Sequence, residues 1–505
     1  MIRFAAASCI AFVLLLSAIS AEAATFTVTK TGDSNDGTCD ADCSLREAVT
    51  AANNAAGDDI IAFDGTVFGT AQTVNVTLGE IIIGASGTLT INGTGANMLT
   101  IDGNMNSRIF RTGAGVVATI NDMILTRGNG VGALASGSAG AIYNDLGTLT
   151  LNNLIITGNS VTNNAGGIRN SGTGSVLTIN NCIVSNNTAG TSSGGGIQNF
   201  STSTVFINNS TFMGNTSGGT TGGGGGQFNG TARITNSTFA NNMAPSGTGG
   251  GMQSNGSSMV ITNSTFVGNS STNSGGGINR GSTNVNFFIR NTIVAGNNGT
   301  ASSTDITNSA GGISSQGNNI IGMVGTSTGW VASDLLNTNP MLNPLAGNGG
   351  FGMTFLPMTG SPAIDAGQNC VVDLSCAANN PPDAVTTDQR GVTRPQGMTV
   401  DIGAVEVAQM ATNAMVSGRV LSPEGNAVNR VLVTISNGGG IIQWTYSNAF
   451  GNFVFSGIPT AQMYSINVFS KQYNFTPVDV TVNGDVSGIT VTAGSENFGN
   501  WKSGK

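Results

Sequence analysis

Histidine is absent from the 505 residues of the sequence. It is the commonest general base, the commonest zinc ligand and the usual partner of a nucleophilic serine or cysteine. Its absence excludes Ser-His and Cys-His nucleophile pairs and the histidine-based forms of acid–base and zinc chemistry. The sequence accordingly predicts no catalytic residue, no metal ligand and no cofactor-binding residue.

Charged residues are also scarce: they make up 8% of the chain, whereas about a quarter is usual. Lysine occurs only at Lys30, Lys471, Lys502 and Lys505, and the net charge is −8. A nucleic-acid-binding surface needs a basic stripe that neutralises phosphates. The sequence has no such stripe, so we predict that nucleic acids are not partners.

Proline is rare at 11 residues and does not occur before Pro245, whereas glycine supplies 76 residues. This imbalance argues against collagen and against a proline-rich linker. It is typical of a chain with many tight turns and little helix. The long proline-free stretch is expected where strands are hydrogen-bonded on both sides.

Long apolar runs are confined to the N-terminus. A basic start at Arg3, an apolar core over residues 10–16 and the small-x-small sequence Ala21-Glu22-Ala23 predict a signal peptide over residues 1–23. The alternative, a membrane anchor, needs about 20 apolar residues. We therefore expect a secreted, extracellular or cell-surface protein with no membrane-spanning segment in the mature chain.

Five of the six cysteines remain after this cleavage. Cys39 lies close to Cys43, and Cys370 lies close to Cys376, so each pair could form a local disulfide in an oxidising compartment. Metal binding by either pair is the alternative, although no histidine or further cysteine lies nearby. Cys182 falls at an apolar repeat position, which predicts a buried free thiol.

An internal repeat of 27 or 28 residues is the main signal in the sequence. Phe212, Phe239 and Phe266 end three copies of an Asn-Ser-Thr-Phe pattern and lie 27 residues apart. Weaker copies over residues 152–156, 180–184 and 290–294 keep the phase. Three residues after each apolar end lies an asparagine; the series is Asn159, Asn187, Asn215, Asn242, Asn269 and Asn297.

Each period also contains a glycine run and a short β-prone run, such as residues 149–151 and 177–179. A period therefore holds about three short strands separated by Gly, Asn and Ser turns. A unit this short cannot bury its apolar face alone, so we expect the units to stack as coils of a solenoid. A propeller needs blades of about 40 residues, so the period favours a parallel β-helix.

Neighbouring coils of a β-helix lie about 4.8 Å apart, so equivalent side chains should pile on one another. We predict one inward stack of Phe212, Phe239 and Phe266. We also predict that the asparagine series forms a ladder at a turn, where asparagine tolerates a left-handed backbone and bonds its own backbone. The glycines are expected to permit sharp corners between sheets.

The paired Gly-Gly-x-Ile and Phe-x-x-Asn signatures over roughly residues 120–300 resemble repeats of chlamydial polymorphic outer-membrane proteins and related bacterial β-helix proteins. This resemblance implies a right-handed parallel β-helix displayed outside the cell.

A short helix is predicted to cover the first coil of a β-helix over residues 24–336. Ser44 and Glu47 form a capping box, and Gly57 is expected to end the helix. Its apolar face consists of Leu45, Ala48, Val49 and Ala52. The sequence Cys-Ser-Leu-Arg-Glu-Ala over residues 43–48 resembles the CSLREA domain of exported bacterial β-helix proteins.

Five motifs between residues 337 and 407, over 342–344, 349–350, 361–367, 387–391 and 401–406, resemble the choice-of-anchor Q domain. That resemblance implies a cap at the C-terminal end of the β-helix. Acidic and basic residues of this segment allow a catalytic interpretation, but we favour a network that ties irregular loops together. These residues are Asp365, Asp388, Arg390, Arg394 and Asp401.

Residues 414–494 read as seven short strands, which is typical of a β-sandwich. The sequences over 416–420 and 448–453 resemble carboxypeptidase regulatory-like, transthyretin-like domains, which usually act as spacers or binding modules. The predicted fold class is all-β: a right-handed parallel β-helix with an N-terminal cap helix, followed by a transthyretin-like β-sandwich.

Parallel β-helices also include polysaccharide lyases and glycoside hydrolases, so the site must decide the function. Glycosidases need two carboxylates, and lyases need a base and often Ca²⁺. Between residues 146 and 304 the only charged residues are Arg169, Arg233, Arg280 and Arg290. An enzyme would have to use earlier residues, namely Asp102, Arg108, Arg111, Asp122, Arg127 and Asp145.

We therefore predict a non-catalytic, adhesin-like binding or structural module, with a β-helix polysaccharide lyase or glycoside hydrolase as the alternative. A long surface rich in Ser, Thr, Asn and Gly can hydrogen-bond sugars or another protein. The candidate partners are surface glycans or other cell-surface proteins, and a monomer is expected. A third hypothesis is a stiff rod that displays the C-terminal sandwich.

Overall fold

A computed structural model describes residues 22–84, 87–281, 286–299, 305–308, 311–376, 383–408, 413–460 and 462–494. Apart from its last two residues, the predicted signal peptide over residues 1–23 lies outside the described residues. Residues 25–336 contain four parallel sheets, and residues 413–492 contain two further sheets. The predicted all-β fold class is confirmed.

The chain passes repeatedly through sheet 1, sheet 2 and sheet 4, and five of the coils add a two-residue strand of sheet 3 between sheets 2 and 4. The 11 strands of sheet 1 are Thr25–Val28, Asp59–Phe63, Thr88–Asn92, Val117–Asn121, Thr148–Asn152, Val176–Asn180, Thr204–Asn208, Thr231–Thr235, Ser258–Thr262, Asn286–Arg290 and Ser314–Ser315. The 11 strands of sheet 2 are Gln72–Asn75, Leu99–Asp102, Ile124–Thr126, Ile155–Thr157, Ile183–Ser185, Thr211–Met213, Thr238–Ala240, Thr265–Val267, Ile293–Ala295, Ile320–Ile321 and Leu335–Leu336.

Sheets 3 and 4 complete the coil. The five strands of sheet 3 are Ser160–Val161, Thr188–Ala189, Thr216–Ser217, Met243–Ala244 and Ser270–Ser271. The nine strands of sheet 4 are Ile81–Ile83, Phe110–Thr112, Ile142–Asp145, Ile168–Ser171, Ile197–Asn199, Gly226–Phe228, Met252–Ser254, Ile278–Arg280 and Ile306–Asn308. The two-residue strands of sheet 3 were not predicted, because so short a run carries no alternating pattern. The handedness of the coils stays a prediction.

Equivalent residues of successive coils pair in register, so identical side chains stack. The Phe212 and Phe239 rings lie 4.8 Å apart and 5° from parallel, and Phe239 and Phe266 lie 4.7 Å apart at 11°. All three side chains are fully buried in the solenoid core. The structure thus places the three phenylalanines in one inner column.

The asparagine series is a buried ladder. Each side-chain amide from Asn159 to Asn269 donates to the Oδ1 of the next asparagine at 2.8–3.0 Å, and Asn297 donates to Asp305 at 2.9 Å. The same Oδ1 atoms also accept from the backbone N–H one coil earlier, as Asn187 does from Asn159 at 3.1 Å. The amides therefore hold adjacent coils together.

The predicted reason for this ladder, a left-handed backbone at a turn, is wrong. The left-handed asparagines form a different column, at the corner between sheets 1 and 2; its members are Asn153, Asn181, Asn209, Asn236, Asn263 and Asn291. The ladder asparagines bond neighbouring coils, and Asn159, Asn269 and Asn297 also donate to the carbonyl two residues earlier in their own coil at 3.2–3.4 Å. Spacing alone could not separate the two columns, because both recur with the same period.

The glycines in successive coils have two roles: some allow a turn with positive φ, and others allow the backbones of adjacent coils to lie close together. Gly194 and Gly249 have positive φ at the turns that precede sheet 4. Gly167 does not, but a Cβ there would lie 2.7 Å from the carbonyl oxygen of Gly196 in the next coil. The prediction that glycines permit corners therefore covers only part of their role.

The N-terminal helix spans Leu45–Asn54 and has the predicted capping box between Ser44 and Glu47. Its predicted apolar face, Leu45, Ala48, Val49 and Ala52, belongs to the solenoid core. The helix ends at Asn54, before the predicted Gly57, with Ala55 in an extended conformation. Cys39 and Cys43 form a disulfide with a Cα–Cα distance of 4.5 Å beside the helix start.

Glu47 is buried at the start of this helix. Burial would raise the pKa of its carboxyl, but hydrogen bonds from the backbone N–H groups of Ser44 and Asp36 and from the Ser34 hydroxyl lower it to about 2. The helix start is thus held by a carboxylate that stays ionised at ordinary pH.

The solenoid ends with residues 311–336, which contain the last strand of sheet 1 and the last two strands of sheet 2. Ile313 donates its N–H to the Thr328 carbonyl, and Val324 and Trp330 pack against the solenoid core. A cap was predicted over residues 337–407, but the described part of that segment lies along the side of the solenoid. The difference matters because the side contacts span several coils.

We call residues 337–407 the flanking segment. Gln389 hydrogen-bonds both Thr211 at 2.8 Å and Thr238 at 2.6 Å, and the Ala404 N–H donates to the Thr265 hydroxyl at 3.0 Å. These threonines belong to the Asn-Ser-Thr-Phe repeat, so the repeat partly encodes this contact. The segment contains the helix Cys370–Asp373 and a disulfide between Cys370 and Cys376.

The C-terminal sandwich has its own core, which includes Val433, Phe453 and Tyr464. A three-stranded sheet contains Asn452–Pro459, Asn413–Leu421 and Val486–Thr492. A four-stranded sheet contains Gly440–Tyr446, Leu432–Asn437, Gln462–Phe469 and Val478–Val482. The seven strands match the predicted number.

Replacing Phe239 with alanine should lower the free energy of unfolding by about 3–5 kcal/mol, because it removes the central ring of a buried stack. Phe288→Ala is the matched control, since Phe288 lies on the outer face of sheet 1 and is only half-buried. We expect a loss of about 1 kcal/mol for the control. Denaturant unfolding followed by circular dichroism measures both, and equal losses would contradict the inward stack.

Candidate binding surface

The outer face of sheet 1 carries two regular columns of uncharged polar side chains. Threonines at the centre of four successive strands pair in register; these are Thr90, Thr119, Thr150 and Thr178. Beside them runs a column of asparagines, namely Asn92, Asn121, Asn152, Asn180 and Asn208. With the exception of the exposed Asn92, all these residues are half-buried.

The asparagines of this outer column are joined to one another. Four side-chain amides each donate to the preceding Oδ1 at 2.8–3.0 Å, from Asn121 to Asn92 through Asn208 to Asn180. These bonds fix the amides at the coil spacing. The face therefore presents a rigid, repeating array of hydroxyl and amide groups that can both donate and accept hydrogen bonds.

A groove begins where the threonine column stops. Phe206 and Arg233 occupy the next two places in register after Thr178. Residues 383–387 of the flanking segment form a wall beside them, and the enclosed volume is about 420 Å³. Sequence reasoning missed this groove, although Phe206 and Arg233 both break the Thr pattern at outward positions.

Asn236 lines this groove at the corner of sheet 1 and is 4% exposed. Its side-chain amide donates to the carbonyl oxygen of Thr387 at 2.7 Å. Its buried Oδ1 has no hydrogen-bond partner among the described residues. This unsatisfied acceptor is covered and lies beneath the groove lining.

The residues that an enzyme would need fall into separate groups: Asp102 lies with Arg127 and Asp122 with Asn153, whereas Arg108 and Arg111 lie beside Tyr143, whose hydroxyl donates to Asp145. Asp102 lies in sheet 2 and pairs with Arg127 at 2.7 Å, whereas Arg108 and Arg111 both bind Glu80. Arg108 is fully buried, and its guanidinium also donates to the carbonyl oxygens of Leu134 and Ser138 at 2.9 Å. Arg108 therefore holds the loop between sheets 2 and 4.

The remaining two carboxylates of that set occupy other corners. Asp122 has a left-handed backbone between sheets 1 and 2 and accepts a hydrogen bond from Asn153 at 2.9 Å. Asp145 ends a strand of sheet 4 and accepts from the Tyr143 hydroxyl at 3.2 Å. Each of these carboxylates has a local structural partner.

The charged residues of the flanking segment form ion pairs. Arg390 pairs with Asp388 at 2.8 Å, and the buried Arg394 pairs with Glu406 at 2.7 Å. Glu406 was not among the predicted residues, yet it also accepts from the backbone N–H of Asp401 at 2.9 Å. Asp401 accepts from the N–H of Asp365 at 2.7 Å, so the set ties together loops that are distant in sequence.

Asp401 has a strongly shifted pKa. Burial, and then the nearby charge of Glu406, raises the pKa of its carboxyl to about 7. Burial likewise raises the pKa of Asp305 at the end of the asparagine ladder and raises the pKa of Cys182 to about 12. These shifts accompany structural hydrogen bonds, and Cys182 is fully buried as a free thiol.

Within the described ranges, no group of three or more His, Cys, Asp or Glu side chains is arranged to hold a metal ion. No helix of the described residues is long and apolar enough to cross a membrane.

Comparisons with known proteins identify one part of the chain by sequence. Residues 415–494 match the family model of the carboxypeptidase regulatory-like domain. No curated protein matches the chain. The crystal structure of pectate lyase Pel9A is similar to 77% of this chain over 97% of its own length, with 18% identity and a TM-score of 0.40. We draw nothing about function from a likeness of this size.

We predict that the free energy of unfolding falls as the pH rises from about 4 to about 7. In this window native Asp401 retains a proton that an unfolded aspartate, with a pKa of about 3.9, has lost. The contribution is at most about 4 kcal/mol for a shift of about three units. Denaturant midpoints measured across this pH range test the slope.

Asp401→Asn is the informative variant for this test, because asparagine does not ionise. We expect a shallower slope than in the wild type, although Asp305 and Glu406, whose pKa values burial also raises, retain part of it. An unchanged slope in the variant, or wild-type stability that rises over this range, would contradict the assignment.

Proposed function

We propose that the protein is an exported, non-catalytic, adhesin-like module whose solenoid binds surface glycans or other cell-surface proteins. The observation that carries this proposal is the outer face of sheet 1. Over the five strands from Thr88–Asn92 to Thr204–Asn208 the sequence contains no charged residue. A fixed array of hydroxyl and amide groups matches a ligand that is itself rich in hydroxyls.

The structural hydrogen bonds and ion pairs of the carboxylates support the non-catalytic part of the proposal. A glycosidase needs two carboxyl groups that face one another across a cleft. Asp102, Asp122 and Asp145 instead lie at different corners of the solenoid and each accepts a structural hydrogen bond or ion pair. Turnover of a polysaccharide that is abolished by Asp102→Asn would overturn this part.

The two disulfides support export, because local disulfides persist in oxidising compartments. The signal peptide and the site of action remain parts of the proposal. Tagged protein found in the culture medium or on the cell surface would support them, whereas retention in the cytosol would not.

A second candidate, in which the solenoid is a rod and the sandwich is the binding module, is favoured by exposed aromatic residues. Trp444 and Tyr446 are 64% and 58% exposed on an edge strand, and their rings lie 5.9 Å apart. Phe469 is 54% exposed on the same sheet, opposite Leu432, which also pairs with Tyr446. Exposed aromatic groups of this size commonly mark a contact surface.

A glycan array probed with the full chain and two variants separates these candidates. Thr119→Val with Thr150→Val removes two hydroxyls from sheet 1 at nearly constant shape, and Trp444→Ala with Tyr446→Ala removes the exposed rings. We expect the first variant to weaken glycan binding by roughly thirtyfold, because it loses two hydrogen bonds that are worth about 1 kcal/mol each. We expect the second to bind as the wild type does.

Loss of binding only in the Trp444 and Tyr446 variant would favour the sandwich instead. The absence of any glycan binding by the wild-type chain would overturn the glycan form of the proposal.

A further inference from the structure

The groove beside Phe206 differs from the rest of the sheet 1 face in having a wall. Its floor consists of outward residues of three successive strands, Thr178, Phe206 and Arg233. Its wall is residues 383–387, which are held against the solenoid by the bond from Asn236 to the Thr387 carbonyl. Among the described residues of this face, residues 383–387 give a ligand a second surface to contact beside the sheet.

The groove lining combines an apolar surface with a few polar groups, as small-molecule sites do. The half-buried Phe206 ring offers a flat apolar surface. Asn208 and Asn209 contribute amides at one edge, and Asp383 contributes an exposed carboxylate from the wall. A pyranose ring has the matching chemistry, because it has apolar C–H faces and a rim of hydroxyls.

Asn236 fixes the wall of the groove. Its amide N–H is committed to Thr387, which leaves Oδ1 as a buried acceptor without a described partner. An unsatisfied buried acceptor costs about 1–3 kcal/mol. Because this Oδ1 is covered, a ligand in the groove does not touch it, and what Asn236 contributes to the site is the bond that fixes the wall at Thr387.

Charge narrows the ligand class further. The described lining contains one basic residue, Arg233, and one acidic residue, Asp383, so the formal charges cancel. The chain as a whole has a net charge of −8, which disfavours polyanions. An uncharged sugar is therefore the ligand that fits both the lining and the surrounding field.

We propose that this groove binds one hexose unit of a neutral polysaccharide whose neighbouring units lie along the Thr and Asn columns of sheet 1. This inference rests on the proposed function and adds the site and the charge class of the ligand. The threonine column leads directly into the groove through Thr178, so one extended chain can contact both.

The test uses the full chain, with binding of a soluble neutral β-glucan, a neutral galactomannan and polygalacturonate measured by calorimetry. Phe206→Thr continues the threonine column and removes the ring. We expect it to weaken binding of the neutral polymer by roughly tenfold, the value of one aromatic contact. Phe288→Thr is the matched control, since Phe288 lies in the same outward column outside the groove, and it should bind normally.

Asp383→Ala is a second variant on an exposed wall residue, and we expect roughly fivefold weaker binding from the lost acceptor. Melting temperatures near that of the wild type show that the variants are folded. Neutral binding that is unaffected by both groove variants but weakened by Thr119→Val with Thr150→Val would overturn the groove while leaving the proposed function intact.

Preference for polygalacturonate over both neutral polymers would overturn the charge class. Failure of the wild type to bind any of the three polymers, or any glycan on the array, would overturn the groove together with the glycan form of the proposed function.

Discussion

In-register stacking of coils at the spacing of a β-sheet is the constraint on which the rest of the solenoid depends. The spacing brings the rings of Phe239 and its two neighbours within 4.7–4.8 Å and brings each ladder amide within hydrogen-bond reach of the next. Buried polar groups become tolerable because every copy satisfies the copy beside it. The same spacing turns ordinary threonines and asparagines on the outside into a regular surface.

The asparagine ladder has a direction, and its last member bonds a carboxylate. The asparagine ladder ends at Asp305, which accepts from both the side chain and the N–H of Asn297. A second inner column consists of the hydroxyls of Ser237, Ser264 and Thr292, each of which accepts from a backbone N–H one coil earlier. It ends at Asn319, whose side-chain amide donates to Asp334 at 2.8 Å. A carboxylate suits this place because it only accepts, and the last amide only needs an acceptor.

Sequence reasoning identified the features that depend on residues close together in the sequence or on the repeat period. The fold class, the inner phenylalanine column, the capped helix and the paired cysteines all follow from local spacing. The same reasoning misjudged the backbone of the ladder asparagines, since two asparagine columns share one period. It also missed the groove, because the contact between Asn236 and Thr387 joins residues 151 positions apart. Nothing in one repeat encodes such a partner.

The flanking segment contacts one equivalent position in each of several successive coils. Its contacts fall on Thr211, Thr238 and Thr265 at one coil each, and the Gly403 N–H bonds the carbonyl of Asn291 in the coil beyond. An extra coil inserted between Thr211 and Asn291 would move every later contact residue of the solenoid by one coil relative to the flanking segment. Among the described residues, these four contacts all fall at or after Thr211, so a whole repeat added before the groove would leave them aligned.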